Sequence, residues 1–172
     1  MKTLILGGVR SGKSRLAEKM ASETELAVSY IATATADDEE MQRRIATHQE
    51  HRPEHWQLIE EPVRLASALT EHAAAGQCLL VDCLTLWLTN LLMSDNAGVL
   101  ETERAALLEV LPGLPGEIIL VSNETNMGII PMGELSRRYC DEAGRLHQQL
   151  AQLCDRVILT VAGLPYILKG NP

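Results

Sequence analysis

A glycine-rich run near the start of the chain has the residue types and spacing of a phosphate-binding loop. Its eight residues satisfy the pattern G-x-x-x-x-G-K-[ST], and they follow a short apolar run and open a helical pattern. Successive backbone N–H groups can surround a phosphate where no Cβ obstructs them, and the helix N-terminus adds partial positive charge. Lys13 would reach the β and γ oxygens of a nucleotide, and the Ser14 hydroxyl would ligate Mg²⁺. The predicted nucleotide-binding residues are Gly7, Gly8, Val9, Arg10, Ser11, Gly12, Lys13 and Ser14.

A carboxylate at the end of another apolar run is the second candidate. Asp82 follows the four largely apolar residues 78–81, where an unpaired carboxylate would be costly. A metal ion, bound directly or through water, would relieve that cost, and so would nearby backbone N–H groups. Asp82 is therefore predicted to ligate Mg²⁺ together with Ser14, with the backbone-satisfied carboxylate as the alternative.

Three histidines, His48, His51 and His55, are concentrated in one short segment. They fit a zinc site, a solvated polar helix end, or an imidazole that acts as nucleophile or acid–base group on a bound nucleotide. Zinc is the weakest of the three because no cysteine and no regular ligand spacing accompany the histidines. Pattern alone does not decide between the other two.

Composition limits the classes of protein that need to be considered. The chain has 172 residues, 15 Lys+Arg, 23 Asp+Glu and a formal charge of −8, with two Trp, three Tyr and no Phe. The length suits one domain, residues 1–172. The acidic balance and the scarcity of aromatic residues argue against nucleic acid as a partner. The four cysteines lack CxxC spacing and are expected to be reduced, buried thiols, and no apolar run is long enough for a membrane span, so we expect a cytoplasmic protein.

Short apolar runs alternate with amphipathic segments along the chain, as in an α/β domain with a mainly parallel sheet. Strands are predicted at Thr3–Gly8, Tyr30–Ala34, Cys78–Leu84, Ile118–Ser122 and Val157–Ala162. Helices are predicted at about Gly12–Ser22, Asp37–His51, Pro62–Ala75, Thr85–Met93, Val99–Leu111 and Glu134–Cys154.

These motifs occur together in one known family, and the similarity runs over almost the whole chain. The sequence resembles the bifunctional adenosylcobinamide kinase/adenosylcobinamide-phosphate guanylyltransferases of cobalamin biosynthesis. The segments that carry the resemblance are Gly7–Ser14, Tyr30–Thr33, Arg44-Ile45 with His48, Arg52-Pro53 with His55-Trp56, Asp82–Thr85, Thr89–Leu92, Val121–Glu124, Met127–Pro131, Arg138–Asp141 and Ala143–Arg145.

The resemblance implies a RecA-like P-loop NTPase fold with three layers, often assembled as a homotrimer. It also implies two reactions: phosphorylation of adenosylcobinamide by ATP or GTP, and transfer of GMP from GTP to adenosylcobinamide phosphate, with release of pyrophosphate. His48 matches the histidine that carries GMP, and Lys13 belongs to the catalytic loop. The further positions that match GTP contacts are Ala32, Thr33, Ala34, Gln49, Glu50, His51, Arg52, Glu60 and Asp82.

The chain departs from the family pattern at four positions, Thr47, Asp82, Asn126 and His147, and the last two leave the corrinoid contacts undefined. Two other hypotheses fit the nucleotide motif. One is a P-loop kinase of another small alcohol, which would transfer a γ-phosphate but release no pyrophosphate from GTP. The other is a nucleotide-dependent switch protein, which would hydrolyse slowly without a small-molecule acceptor.

Overall fold

In the part of the chain that the structure describes, seven strands form the central sheet. The structure, a computed structural model, describes residues 1–34, 53 and 55–171. The strands are β1 Lys2–Gly7, β2 Ala27–Ala32, β3 Gln57–Glu60, β4 Gln77–Asp82, β5 Glu117–Asn123, β6 Arg156–Val161 and β7 Leu164–Lys169. Their order across the sheet is β3-β2-β4-β5-β1-β6-β7. Every pairing is parallel except that of β6 with β7, which is antiparallel.

The parallel register brings the carboxyl ends of the strands to one edge of the sheet. Gly7 of β1 lies opposite Asn123 of β5 and Thr160 of β6. Ala32 of β2 lies opposite Glu60 of β3 and Asp82 of β4. In open parallel sheets ligands bind at this edge, so the register brings the predicted site residues of four strands to the expected place.

Within residues 1–34 and 55–171, five α-helices cover the sheet: α1 Lys13–Glu23, α2 Leu65–His72, α3 Leu84–Met93, α4 Val99–Val110 and α5 Glu134–Leu153. The longest, α5, is strongly amphipathic and buries Ala143, Leu146, His147 and Leu150. A helix with this pattern gains most of its stability by packing its apolar stripe against a sheet. Within the described residues no helix is long and apolar enough to cross a membrane.

Two apolar clusters lie on opposite faces of the sheet, as the alternation of side chains along each strand requires. On one face, Ala17 and Ala21 of α1 pack with Ile5, Leu80 and Val121. On the other face, helices α2 to α5 pack against a larger cluster, which contains Leu4, Leu79, Val81, Leu120 and the fully buried Trp87.

The predicted α/β class with a mainly parallel sheet is confirmed, and so are five of the strands. Two strands were not predicted: β3, which contains only two apolar residues between Gln57 and Glu60, and β7, whose apolar run is interrupted by Pro165. The helix predicted at Pro62–Ala75 is shorter, Leu65–His72. The helix predicted at Asp37–His51 lies outside the described residues. All four cysteines are free, but only Cys78 and Cys154 are buried, whereas Cys83 and Cys140 are partly exposed.

Candidate active site

The phosphate loop begins at the end of β1, where the chain lies against β6 and against Ser11 of the loop itself, and this close approach requires glycine at position 7. A Cβ added to Gly7 would lie 2.4 Å from the Thr160 carbonyl oxygen and 2.5 Å from Ser11 Oγ. A Cβ on Gly8 would meet no protein atom within 4 Å. Gly7 is therefore needed to pack the loop, whereas a side chain at position 8 would extend into open space.

Two residues in the middle of the loop have a left-handed backbone conformation. Arg10 has φ 56° and Gly12, which caps α1, has φ 96°. The Ser11 carbonyl accepts a hydrogen bond of 2.9 Å from the N–H of Gly163, in the turn between β6 and β7. These contacts hold the loop open above the first turn of α1, which is the geometry in which backbone N–H groups bind an anion.

Lys13 is the cation of this loop, and it is 7% exposed. Its Nζ donates a hydrogen bond of 2.8 Å to the carbonyl of Gly8. Burial lowers the pKa of Lys13, and the neighbouring Cys83 and Asp82 oppose that shift. A buried ammonium close to the loop backbone can neutralise phosphate charge in an environment where electrostatic interactions are stronger than in water.

Asp82 ends β4 at the same edge of the sheet as the loop, and its carboxylate is hydrogen-bonded to the side chain of Tyr30 in β2. Burial raises the pKa of the Tyr30 phenol, and the Asp82 charge and hydrogen bond raise it further, so the phenol remains protonated and donates. Asp82 Oδ2 is buried and has no hydrogen-bond partner among the described residues. One carboxylate oxygen is thus left for a cation or a water.

The residues after β2 and β3 complete the edge. Thr33 is fully buried, and its Oγ1 donates to the Cys83 carbonyl at 2.6 Å and accepts from the Cys83 N–H at 3.0 Å. Its own carbonyl accepts from Asn90 Nδ2 at 2.8 Å. Ala32 and Ala34 flank it and are partly exposed, while Glu60 is exposed at the end of β3. Thr33 therefore fixes the backbone of Cys83, the residue that follows Asp82, through two hydrogen bonds.

The structure thus brings three groups of the predicted residues to one edge: residues 7–14, residues 32–34 with Glu60, and Asp82. The predicted residues His48, Gln49, Glu50, His51 and Arg52 lie outside the described residues. Sequence reasoning missed Tyr30 and Asn90, which hold Asp82 and Thr33. Both occur in the segments that carry the family resemblance, but no local pattern indicates which side chain they contact.

A glycine loop between a strand and a helix, a buried lysine at its end and an aspartate on a nearby parallel strand define a P-loop nucleotide-binding domain. The family described as cobinamide kinase / cobinamide phosphate guanyltransferase matches residues 3–168. The chain belongs to this family, and it is a bifunctional kinase and guanylyltransferase of cobalamin biosynthesis.

Curated relatives agree with this assignment over their full length. The chain is 66% identical to the bifunctional adenosylcobalamin biosynthesis protein CobP of Pseudomonas aeruginosa, over 100% of this chain and 99% of that protein. It is 36% identical to the bifunctional adenosylcobalamin biosynthesis protein CobU of Escherichia coli, over 98% of this chain and 100% of that protein.

Solved structures confirm the P-loop NTPase fold. The flagellar accessory protein FlaH of Methanocaldococcus jannaschii superposes with a TM-score of 0.53 at 15% identity, over 99% of this chain and 78% of that one. The RadB recombinase superposes with a TM-score of 0.51 at 16% identity, over 92% and 73%. At such low identity these similarities concern the fold alone.

Proposed function

We propose that the chain phosphorylates adenosylcobinamide with ATP or GTP and then transfers GMP from GTP to the product through a covalent intermediate on His48. The observation that carries the proposal is the meeting of Lys13 and Asp82 at one sheet edge in a chain of this family. One nucleotide pocket can serve both steps because each step needs a triphosphate held at the same loop.

In the first step the acceptor hydroxyl attacks the γ-phosphorus of the nucleotide. The bond from the γ-phosphorus to the bridging oxygen breaks, the nucleoside diphosphate leaves, and the hydroxyl proton passes to solvent. The loop backbone and Lys13 hold the phosphates and balance the charge that develops, while Arg10 on the exposed side of the loop adds positive charge. Positioning and charge neutralisation account for this step without a strong base.

The residues at the edge suit Mg²⁺, since the unpartnered Oδ2 of Asp82 and the hydroxyl of Ser14, in the first turn of α1, are oxygen ligands. Mg²⁺ would be held by these two residues, directly or through water. When bound it would neutralise phosphate charge and favour departure of the leaving phosphate.

In the second step a neutral His48 imidazole attacks the α-phosphorus of GTP, a P–N bond forms, and pyrophosphate leaves. An oxygen of adenosylcobinamide phosphate then attacks the same phosphorus, the P–N bond breaks, and His48 is restored as adenosylcobinamide-GDP forms. We assign the nucleotide contacts beyond the loop to Ala32–Ala34, Gln49–Arg52, Glu60 and Asp82, which match GTP-contacting positions of the family.

Labelling with α-³²P GTP tests the covalent step. Wild-type protein should retain acid-labile label, as a phosphoramidate requires, and His48→Ala should retain none while still transferring γ-phosphate from ATP. His72→Ala is the matched control, because His72 lies at the end of α2, outside the proposed nucleotide contacts, and this variant should keep the label. Labelling that persists in His48→Ala, or that disappears in His72→Ala, would contradict the assignment.

We also propose that the chain assembles as a homo-oligomer, a trimer by family resemblance, and that it acts in the cytoplasm on adenosylcobinamide and its phosphate. An exposed apolar strand at the end of the sheet supports the first point, because Leu164, Tyr166 and Leu168 of β7 are more than half exposed. Light scattering coupled to size-exclusion chromatography measures the assembly. A monomer at micromolar concentration would contradict it.

A further inference from the structure

A buried histidine of α5 contacts both residues that flank Asn123 at the end of β5. His147 is 6% exposed, and its Nε2 lies 2.8 Å from Oγ of the buried Ser122. Its Nδ1 lies 3.6 Å from Oε2 of Glu124. The other oxygen of Glu124 accepts a hydrogen bond of 2.7 Å from the N–H of Asn126. The imidazole is therefore hydrogen-bonded to the residue before Asn123 and lies beside the carboxylate of the residue after it.

The chemistry of the contact favours a neutral imidazole. Burial lowers the pKa of His147, while the Glu124 carboxylate opposes that shift. In the neutral ring, Nε2 can accept a hydrogen bond from the Ser122 hydroxyl, which leaves the N–H on Nδ1 facing Glu124. That Nδ1 is buried and has no hydrogen-bond partner in the described part of the chain. Such a buried polar group is costly, and this cost is unusual for a residue that only fills space in a core.

Asn123 lies on the opposite face of β5, because side chains alternate along a strand. Val121, two residues earlier, packs with Ala17 and Ala21 of α1, the helix that follows the phosphate loop. Asn123 thus lies on the α1 face, while Ser122 and Glu124 lie on the α5 face.

The sheet order brings Asn123 between the two halves of the site. Strand β5 lies between β1, which leads into the phosphate loop, and β4, which ends in Asp82. Asn123 is in register with Gly7, and the next residue, Glu124, donates a backbone hydrogen bond of 2.9 Å to the Gly7 carbonyl. Any phosphate held between the loop and Asp82 therefore lies next to the end of β5.

The side-chain amide of Asn123 is available for such a contact. Its backbone N–H donates to Thr85 Oγ1 at 2.8 Å, while its side chain is only partly buried and makes no hydrogen bond to the described residues. An amide offers donors for a phosphate oxygen and an acceptor for a hydroxyl proton.

We propose that Asn123 contacts the phosphoryl group that is transferred in the kinase step, and that His147 is a positioning residue that holds Asn123 in place through Ser122 and Glu124. This inference rests on one part of the proposed function, the transfer of a γ-phosphate at the loop. It does not depend on His48.

The first test measures γ-phosphate transfer to adenosylcobinamide by Asn123→Ala. A donor aimed at a transferring group contributes a factor of about 10² or more to kcat, so we expect a loss of that order with little change in the KM for the acceptor. The variant should also bind a non-hydrolysable ATP analogue several-fold more weakly while binding ADP as the wild type does.

Asn96→Ala, in an exposed turn before α4, is the matched control and should change neither kcat nor the affinity for the ATP analogue. Unchanged kcat and unchanged ATP-analogue affinity in folded Asn123→Ala would overturn the proposal.

A double-mutant cycle tests the role of His147. His147→Leu alone should lower kcat about tenfold, and His147→Gln, which keeps a polar atom near Ser122, should restore most of the activity. In the Asn123→Ala background His147→Leu should cost almost nothing more, since residues that act through one another are not additive. Full additivity would show that His147 does not act through Asn123. If His147→Leu fails to fold in thermal unfolding measurements, Ser122→Ala takes its place in the cycle with the same expectation.

The two proposals fail in different ways. Acid-labile label that persists in His48→Ala, with normal γ-phosphate transfer, contradicts the histidine intermediate and does not affect the role proposed for Asn123. Normal GMP transfer together with full kinase activity in Asn123→Ala contradicts the present inference alone.

Discussion

The Tyr30 side chain in β2 is hydrogen-bonded to the Asp82 carboxylate at the end of the neighbouring strand β4. Tyr30 is in register with Leu80, so its phenol reaches two residues further along β4 to the carboxylate. The hydrogen bond accounts for part of the carboxylate's hydrogen-bonding capacity and leaves Oδ2 without a partner among the described residues, at the edge where the phosphate loop begins.

Removing this phenol should destabilise the protein and weaken the site. Tyr30→Phe deletes a hydrogen bond to a charged group, which contributes about 1.5–3 kcal/mol to the free energy of unfolding. Urea denaturation measures the loss, and kinase activity at limiting Mg²⁺ should fall as well because Asp82 is less well oriented. Tyr166→Phe, on the exposed strand β7, is the control and should leave both unchanged. Equal stability of the two variants would show that the Tyr30 hydrogen bond contributes little.

The first two glycines of the loop should respond differently to alanine. Gly7→Ala places a Cβ 2.4 Å from a backbone oxygen, so the strand must shift and the free energy of unfolding should fall by about 1–3 kcal/mol or more. Gly8→Ala meets no protein atom and should keep wild-type stability, with any defect appearing in nucleotide affinity. Thermal unfolding and nucleotide titration separate the two effects, and Gly76→Ala, also in open space, controls for the substitution itself. Equal destabilisation by Gly7→Ala and Gly8→Ala would contradict the close approach at position 7.

Replacing the buried lysine should abolish most of the catalysis without unfolding the chain. Lys13→Ala removes a cation that neutralises phosphate charge, so γ-phosphate transfer should fall by a factor of about 10² or more. Because burial lowers the Lys13 pKa and so disfavours its charged form, its removal should not reduce stability greatly. Lys19→Ala on the exposed side of α1 is the control. If both lysine variants lose the same fraction of kcat, Lys13 has no special part in the reaction.

Stability should decrease as the pH falls through the ordinary range of histidine. The pKa of His147 is lower in the folded chain than in the unfolded chain, so below about pH 6.5 the unfolded state binds more protons and folding is opposed. The decrease attributable to one group cannot exceed about 1.4 kcal/mol per pH unit. Urea denaturation from about pH 7.5 to about pH 5.5, a range that spans the ordinary histidine pKa, should show a steeper decline for the wild type than for His147→Gln. Parallel curves would contradict this assignment.

The loop, the carboxylate and the α/β class could be predicted from sequence, because each depends on local rules. The spacing around Lys13 is a backbone geometry encoded in eight consecutive residues, and Asp82 follows an apolar run of the length and composition of a buried strand. Strand β3 could not be predicted because it contains only two apolar residues, and β7 could not because Pro165 interrupts its apolar run. Both strands are defined by their hydrogen bonds to the neighbouring strands β2 and β6.

Which side chains meet at the site depends on the tertiary structure. Local sequence patterns were enough to predict that a phosphate loop precedes α1 and that an acidic residue ends a buried strand. They did not indicate that β5 lies between those two strands, that Tyr30 reaches Asp82, or that His147 lies against Ser122 and Glu124, far from it in the chain. Those contacts depend on strand order and register, which are set by the packing of the whole sheet rather than by any local run of residues.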